Sequence, residues 1–198
     1  MTVKEYEEII GKRMKSARFK HSRNVAKEAV RLAKKYGADV QKAEIAGILH
    51  DATKETSDDE QLNLIQRAGI QMTVMELSSR KLWHAISGSA FVQAELGIDD
   101  KEIIDSIRYH TTGRANMTLL DKVIFVADFI SADRDYDGVD KMRKIADKDL
   151  DEAVLEGMSF TMADLAQRKI TIAPDTFEGY NYMASLRAKK IIFGEEIK

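Results

Sequence analysis

Residues 45–54, which read Ile-Ala-Gly-Ile-Leu-His-Asp-Ala-Thr-Lys, decide how the rest of the chain is interpreted. The apolar run at the start of this stretch predicts a helix that ends at the adjacent pair His50-Asp51. Burying the apolar side chains also carries the pair inward, where a charged group without a partner is costly. One metal ion satisfies an imidazole and a carboxylate at once. The stretch therefore predicts a helix that ends in a metal site, with further ligands elsewhere in the chain.

The composition narrows the class of protein. The chain has 198 residues, 44% of them hydrophobic and 32% charged, which is enough for one sizeable core. A formal net charge of −2 argues against a nucleic-acid polymer as partner, and the lack of cysteine excludes a thiolate metal site. No stretch has the apolar length of a membrane span or the pattern of a signal peptide. We therefore expect a cytoplasmic protein with no membrane partner.

The periodicity predicts an all-α fold. The chain has a single proline, Pro174, and its apolar residues recur at helical spacing with little alternation. No linker or repeat divides it, so we expect one domain over residues 1–198, with a metal-ligand core at about 18–132 and C-terminal helices within 140–190 packing on it. We predict helices over residues 3–16, 21–36, 39–51, 57–68, 82–96, 99–110, 118–130, 140–146, 148–168 and 174–190.

All four histidines are predicted to lie at helix ends, on or next to the apolar stripe of their own helix. A single inward histidine is more often a hydrogen-bonded core residue than a ligand. The alternative is stronger here because an aspartate lies on the buried stripe of the most apolar helix, over residues 118–130. Clusters of buried ionisable groups are typical of functional sites. The candidate metal-ligating set is His21, His50, Asp51, His84, His110 and Asp128.

The order of these residues resembles a known superfamily. A lone histidine, a His-Asp pair and a distant aspartate on a late helix resemble the HD-domain metal-dependent phosphohydrolases, and two further histidines match a subset of them. Four local strings, with the tail residues 174–176 and 181–182, resemble the YqeK-like family of bacterial symmetrical diadenosine tetraphosphatases. These strings are His50-Asp51-Ala52-Thr53-Lys54, Leu82-Trp83-His84-Ala85-Ile86, Tyr109-His110-Thr111-Thr112-Gly113-Arg114 and Val126-Ala127-Asp128-Phe129-Ile130.

The resemblance implies a helical bundle of the HD type that holds one or two metal ions. The first ion is expected on His21, His50, Asp51 and Asp128. The family suggests iron, while nitrogen and oxygen donors without thiolate also suit manganese, cobalt or zinc. The other two histidines, His84 and His110, would either hold a second ion or bind phosphate.

The resemblance also implies an activity, the hydrolysis of diadenosine tetraphosphate into two molecules of ADP. A hydroxide generated at the metal would attack the polyphosphate bridge. The residues expected to act in catalysis are Asp51, Lys54, His84 and His110. The residues expected to bind substrate are His84, His110, Thr111, Thr112, Arg134, Asn181 and Tyr182, the last two at a base or ribose. A homodimer is expected from the family alone.

Several alternatives remain open on the sequence. Lys54 and Arg134 would otherwise be ordinary surface cations, and Thr111 and Thr112 would otherwise cap the turn at Gly113. The loop at residues 131–134 departs from the family pattern, which concerns loop shape and substrate preference. An HD-type hydrolase of another nucleotide (a dNTP, a 5′-mononucleotide or an alarmone) is one alternative activity. A metal-containing nucleotide sensor without catalysis is the other.

Overall fold

The structure, a computed structural model, describes residues 1–194, and in that part of the chain it contains eleven helices, one short 3₁₀ turn and no strand. The prediction of an all-α, single-domain fold is confirmed. The helices are α1 (Val3–Gly11), α2 (Ser16–Tyr36), α3 (Val40–Leu49), α4 (Asp58–Arg67), α5 (Val74–Ser78), α6 (Trp83–Ala94), α7 (Lys101–Arg108), α8 (Leu119–Ile130), α9 (Val139–Ala146), α10 (Leu150–Gln167) and α11 (Pro174–Phe193), and the 3₁₀ turn is Arg80–Leu82.

Side-chain caps begin the helices that carry or border the predicted site. The carboxylate of Asp39 accepts a hydrogen bond from the backbone N–H of Lys42 at the start of α3. Thr118 and Asp121 form a reciprocal capping box at the start of α8. Such caps satisfy backbone N–H groups that have no partner within the helix. They explain why α3 and α8 begin where the sequence pattern predicts.

The first two helices differ from the prediction. We predicted one helix over residues 3–16 and a second from about His21. In the structure α1 ends at Gly11, Lys15 has extended backbone angles, and α2 begins at Ser16. His21 therefore lies in the second turn of α2 rather than at a helix end. The short helix α5 was also not predicted, because its five residues are too few to show a helical repeat of apolar side chains.

Two helices cross closely enough that their backbones nearly touch. A side-chain carbon added to Gly47 of α3 would lie 2.6 Å from the Cα atom of Ala26 in α2. Only glycine permits this approach. The crossing brings His21 of α2 towards His50, the residue that follows α3.

The most apolar helix, α8, packs against α2, α3 and α7. Its side chains are buried on nearly every face, and Asp128 lies near its C-terminal end. Helix α10 packs on α8, and α11 packs on α10. The predicted division into a ligand core and added C-terminal helices stays a prediction. Within residues 1–194, no helix has both the length and the apolar character needed to cross a membrane.

Replacing Gly47 by alanine should destabilise the protein. The new methyl group would meet backbone of α2, which cannot rotate away, so we expect a loss of about 1–3 kcal/mol in the free energy of unfolding. Urea denaturation measures this change. The control is Gly88→Ala in α6, where the nearest atom, a side-chain methyl of Ile107, is 3.4 Å away. Equal stability of the two variants would contradict the close crossing.

Candidate metal centre

Asp51 lies between two pairs of imidazoles. One carboxylate oxygen, Oδ2, is 3.5 Å from Nε2 of His50 and 4.0 Å from Nε2 of His21. The other oxygen, Oδ1, is 3.3 Å from Nε2 of His84 and 3.6 Å from Nε2 of His110. All five side chains are buried. A single carboxylate therefore links four histidines that are far apart in the sequence.

Asp128 approaches the same cluster from α8. Its Oδ1 atom is 3.0 Å from Nε2 of His21 and 3.9 Å from Nε2 of His50. The Asp128 side chain is 18% exposed, so it is less buried than its place on an apolar stripe suggested. The guanidinium of Arg134 pairs with this carboxylate and also donates to the Asp128 carbonyl oxygen over 2.6 Å. Asp128 thus lies where the cluster opens to solvent.

Hydrogen bonds orient three of the four imidazoles. Nδ1 of His50 donates to the carbonyl oxygen of Gly47 over 2.8 Å, and Nδ1 of His110 donates to that of Ile107 over 2.7 Å. Because a carbonyl oxygen only accepts, each Nδ1 carries a proton, and each Nε2 is the nitrogen that faces the cluster. Nδ1 of His21 is 2.7 Å from the carboxylate of Asp133. A carboxylate behind a histidine is the arrangement that orients many metal ligands.

The charges of the cluster favour a cation. Burial would raise the pKa of Asp51, but the imidazoles of His50 and His110 beside its carboxylate hold the pKa well below its usual range. Burial would likewise raise the pKa of Asp128, but the imidazoles of His21 and His50 and the guanidinium of Arg134 hold it far below its usual value. Burial and the adjacent ammonium of Lys54 lower the pKa of His84 well below its usual value. The site therefore combines two ionised carboxylates with a neutral imidazole at neutral pH.

The donor atoms fit a divalent metal ion. Three buried atoms of the cluster have no hydrogen-bond partner among the described residues: Nε2 of His21, Nε2 of His50 and Oδ1 of Asp51. Leaving such atoms unpaired is costly, and one shared cation satisfies them together. Three overlapping groups each bring their donor atoms within 4.8 Å of one another. The groups are His21 with His50 and Asp51, His50 with His110 and Asp128, and Asp51 with His84 and His110.

Lys54 and Thr111, which were predicted to act in catalysis and in substrate binding, lie against histidines of the cluster. The ammonium of Lys54 is 3.0 Å from Nε2 of His84 and 4.0 Å from Oδ1 of Asp51. Burial lowers the pKa of Lys54, and the carboxylates of the site act in the opposite direction. The hydroxyl of Thr111 is 3.2 Å from Nε2 of His110. Both side chains face the space between the histidines.

Three other predicted residues are placed differently. The hydroxyl of Thr112 donates to the carbonyl oxygen of Gly113 over 2.8 Å, as the turn-capping alternative requires. Asn181 and Tyr182 lie on exposed positions of α11. The Tyr182 hydroxyl donates a hydrogen bond to Oδ1 of Asn116 over 3.3 Å. Tyr182 also lines a separate cavity of about 470 Å³. None of the six candidate ligands lines that cavity, and the predicted base or ribose contacts stay predictions.

Two charged residues at the site, Arg18 and Asp133, were not predicted from the sequence. The guanidinium of Arg18 is 2.8 Å from Oδ2 of Asp51. Arg18 lies one turn before His21 on α2, so a correct start for that helix would have revealed it. Asp133, which contacts His21, is 112 residues further along the chain. No local sequence pattern predicts a contact of that separation.

Arg143 of α9 holds the loop that follows Asp128. Its guanidinium donates to the carbonyl oxygens of Ile130 and Ser131 over 3.2 and 3.1 Å, and to that of Arg134 over 3.1 Å. One side chain thus satisfies three backbone acceptors. The loop is thereby fixed between the carboxylate ligand of α8 and the arginine that pairs with it.

Removing the carboxylate behind His21 should weaken metal binding. With Asp133→Ala, the imidazole of His21 loses the partner that orients it, and we expect metal affinity to fall about 10- to 100-fold. A chelator-competition titration measures the affinity. Asp135→Ala, an exposed carboxylate of the same loop, is the matched control and should change little. Equal affinities of the two variants would argue against His21 as a ligand.

Comparisons with known proteins agree with this geometry. Residues 18–133 match the HD domain. The symmetrical bis(5′-nucleosyl)-tetraphosphatase of Bacillus subtilis (strain 168) is 42% identical over 85% of this chain and 90% of its own length. A protein of the same name from Halalkalibacterium halodurans is 40% identical over 84% of this chain and 88% of its own length.

A solved structure has the same fold. The predicted HD superfamily hydrolase involved in NAD metabolism from Clostridium acetobutylicum is 33% identical, with a TM-score of 0.90. The match covers 93% of this chain and 98% of that one. The resemblance drawn from the sequence strings is confirmed. The chain belongs to the HD domain family, in the branch that contains these symmetrical bis(5′-nucleosyl)-tetraphosphatases.

Proposed function

We infer that this chain is a metal-dependent hydrolase that cleaves diadenosine tetraphosphate symmetrically into two molecules of ADP. The observation that carries the inference is the buried carboxylate of Asp51, each oxygen of which faces an imidazole. The chain that contains it is 42% identical to a relative named for this activity. Apolar side chains of similar volume would pack the interior at least as well as this enclosed cluster of charged groups. The cluster is therefore not explained by packing alone. It has a clear role in phosphoryl transfer.

We assign two ion positions to the cluster. His21, His50 and Asp128, with Oδ2 of Asp51, would hold the first ion, and the remaining two histidines with Oδ1 of Asp51 would hold the second. The two oxygens of Asp51 face different histidine pairs, so this carboxylate would contribute one oxygen to each position. The chemistry supplied by such ions is acidification of an attacking water and neutralisation of phosphoryl charge. Iron is the proposed metal, with manganese, cobalt and zinc compatible with the same donors.

Three cationic side chains surround the opening of the site. Arg18, Lys54 and Arg134 come from α2, from the turn after α3 and from the loop after α8. Their side chains are 30%, 34% and 37% exposed, so each is anchored in the protein and still reaches solvent. A polyphosphate chain carries several negative charges, which arginine and lysine neutralise. We propose that these three residues position the bridge of the substrate.

Symmetrical cleavage breaks the central bridge of the tetraphosphate. A water oxygen forms a bond to one of the two inner phosphorus atoms, and the bond from that phosphorus to the bridging oxygen breaks. Each half then leaves as ADP, and the proton of the water is released. Lys54 lies against His84, where its positive charge would stabilise negative charge that develops on the leaving diphosphate. His110 and Thr111 border the same space.

A homodimer and a cytoplasmic location stay predictions from the family and the composition. The phosphate contacts of Thr111 and Thr112 also stay predictions. For Thr112 the hydroxyl would have to leave its bond to Gly113.

Product analysis tests the proposed activity. Metal-loaded protein should convert one diadenosine tetraphosphate into two ADP, whereas AMP plus ATP would contradict symmetrical cleavage. Asp51→Ala should lose both activity and bound metal, because it removes the one side chain shared by all four histidines. Asp99→Ala, an exposed carboxylate before α7, is the control and should retain both.

Lys54→Ala tests the role of the ammonium separately from metal binding. We expect a fall in kcat/KM on the order of 10-fold or more, with metal content unchanged. Lys54→Arg keeps the charge and should recover part of the activity. Loss of metal in the alanine variant would instead make Lys54 necessary for holding the ion, and full activity would exclude it from catalysis.

A further inference from the structure

Three aromatic side chains line a cavity along the loop that follows Asp128. Phe129, Tyr136 and Phe160, from α8, the following loop and α10, line a cavity of about 210 Å³. The rings of Tyr136 and Phe160 are in contact, with centroids 5.4 Å apart and planes inclined by 37°. Phe160 is 50% exposed although it lies on an ordered helix. We call these three residues the aromatic pocket.

The aromatic pocket is tied to the catalytic site by chain connectivity. Phe129 directly follows Asp128, and Tyr136 lies two residues after Arg134. Two residues span at most about 7 Å of extended chain, so the Tyr136 backbone cannot be far from the arginine that we place on the polyphosphate. Arg143 fixes this same loop through three backbone carbonyls.

The pKa of the Tyr136 hydroxyl responds to charged groups near the cluster. Burial raises the pKa of the Tyr136 hydroxyl, and the charges of Arg134 and Arg143 act against that rise. The carboxylate of Asp128 raises the same pKa. The hydroxyl of Tyr136 is therefore within electrostatic reach of a candidate metal ligand.

A glycine and an ion pair also line the pocket. Gly138 lines the cavity with φ of +97°, a backbone conformation that side chains rarely adopt. A carbon added there would meet no atom within 4 Å, so the space in front of it is free. Lys141 and Glu156 form an ion pair of 2.7 Å at the rim, which places polar groups beside the aromatic faces.

We propose that the aromatic pocket binds the purine base of one nucleoside of the substrate, an inference that rests on the proposed function. Base rings stack on aromatic side chains, and each such stack contributes measurably to affinity. The cavity is smaller than the roughly 300–1,000 Å³ of clefts that enclose a whole drug-sized ligand. It therefore suits one ring system, with the phosphates extending to Arg134 and the metal cluster.

Binding of ADP and of inorganic pyrophosphate to metal-loaded protein tests the proposal. In Phe160→Ala and Tyr136→Ala, the Kd for ADP should rise on the order of 10-fold, while the Kd for pyrophosphate, which has no base, stays unchanged. Because Phe160 is half exposed, its replacement should leave the fold intact, which a thermal melt checks. Phe193→Ala is the matched control, a phenylalanine that is 65% exposed near the end of α11 and outside the pocket.

The outcomes separate this proposal from the proposed function. An unchanged Kd for ADP in both variants would overturn the base site. An equal rise in the Kd for ADP and for pyrophosphate would also overturn it, because it would mean that the rings only support the loop. If wild-type protein releases two ADP and the variants bind ADP normally, the activity stands and the base site fails. If wild-type protein does not cleave the dinucleotide but the variants lose ADP alone, the base site stands and the activity fails.

Discussion

The close crossing of α2 and α3 is the constraint on which the rest of the structure depends. Gly47 has no side chain, so α3 approaches the backbone of Ala26 and brings His50 next to His21. The carbonyl oxygen of the same Gly47 accepts a hydrogen bond from Nδ1 of His50, which turns Nε2 towards the cluster. One residue thus sets both the distance between two candidate ligands and the orientation of one of them.

The cluster links helices that are far apart in the sequence. Its members come from α2, α6, α8 and the residues after α3 and α7, and Asp51 contacts all four histidines. Unpaired buried donors work against folding, whereas an ion that binds the folded state alone stabilises it, by about 2.7 kcal/mol at a concentration of 100 Kd. An ion bound at this cluster would therefore couple metal binding to folding. The cations around the opening add charge that the substrate phosphates can neutralise in turn.

The sequence predicted most helices because their boundaries depend on local chemistry. Asp39, Ser57 and Thr118 each accept a hydrogen bond from the first turn of the helix that follows, and each lies where the pattern placed it. The break between α1 and α2 was predicted too late in the chain, at residues 17–20, because Met14 continues the apolar spacing of a helix that ends at Gly11.

The six candidate ligands were all inferred from residue type and order, but their supporting residues were not. Arg18 was hidden by the misplaced start of α2. Asp133 reaches His21 across 112 residues, and Arg143 joins three backbone carbonyls of a loop. The aromatic pocket depends on the packing of α10 beside that loop. Such contacts follow from tertiary structure, which local periodicity does not encode.

Anomalous diffraction from crystals of the metal-loaded protein tests the central claim most directly. An anomalous peak bounded by Nε2 of His21, Nε2 of His50 and the carboxylates of Asp51 and Asp128 is the predicted result. A second peak between Oδ1 of Asp51 and the other two histidines would establish the two-ion arrangement. Bound metal that leaves His21 and His50 without contact, in protein that still cleaves the dinucleotide, would contradict the account.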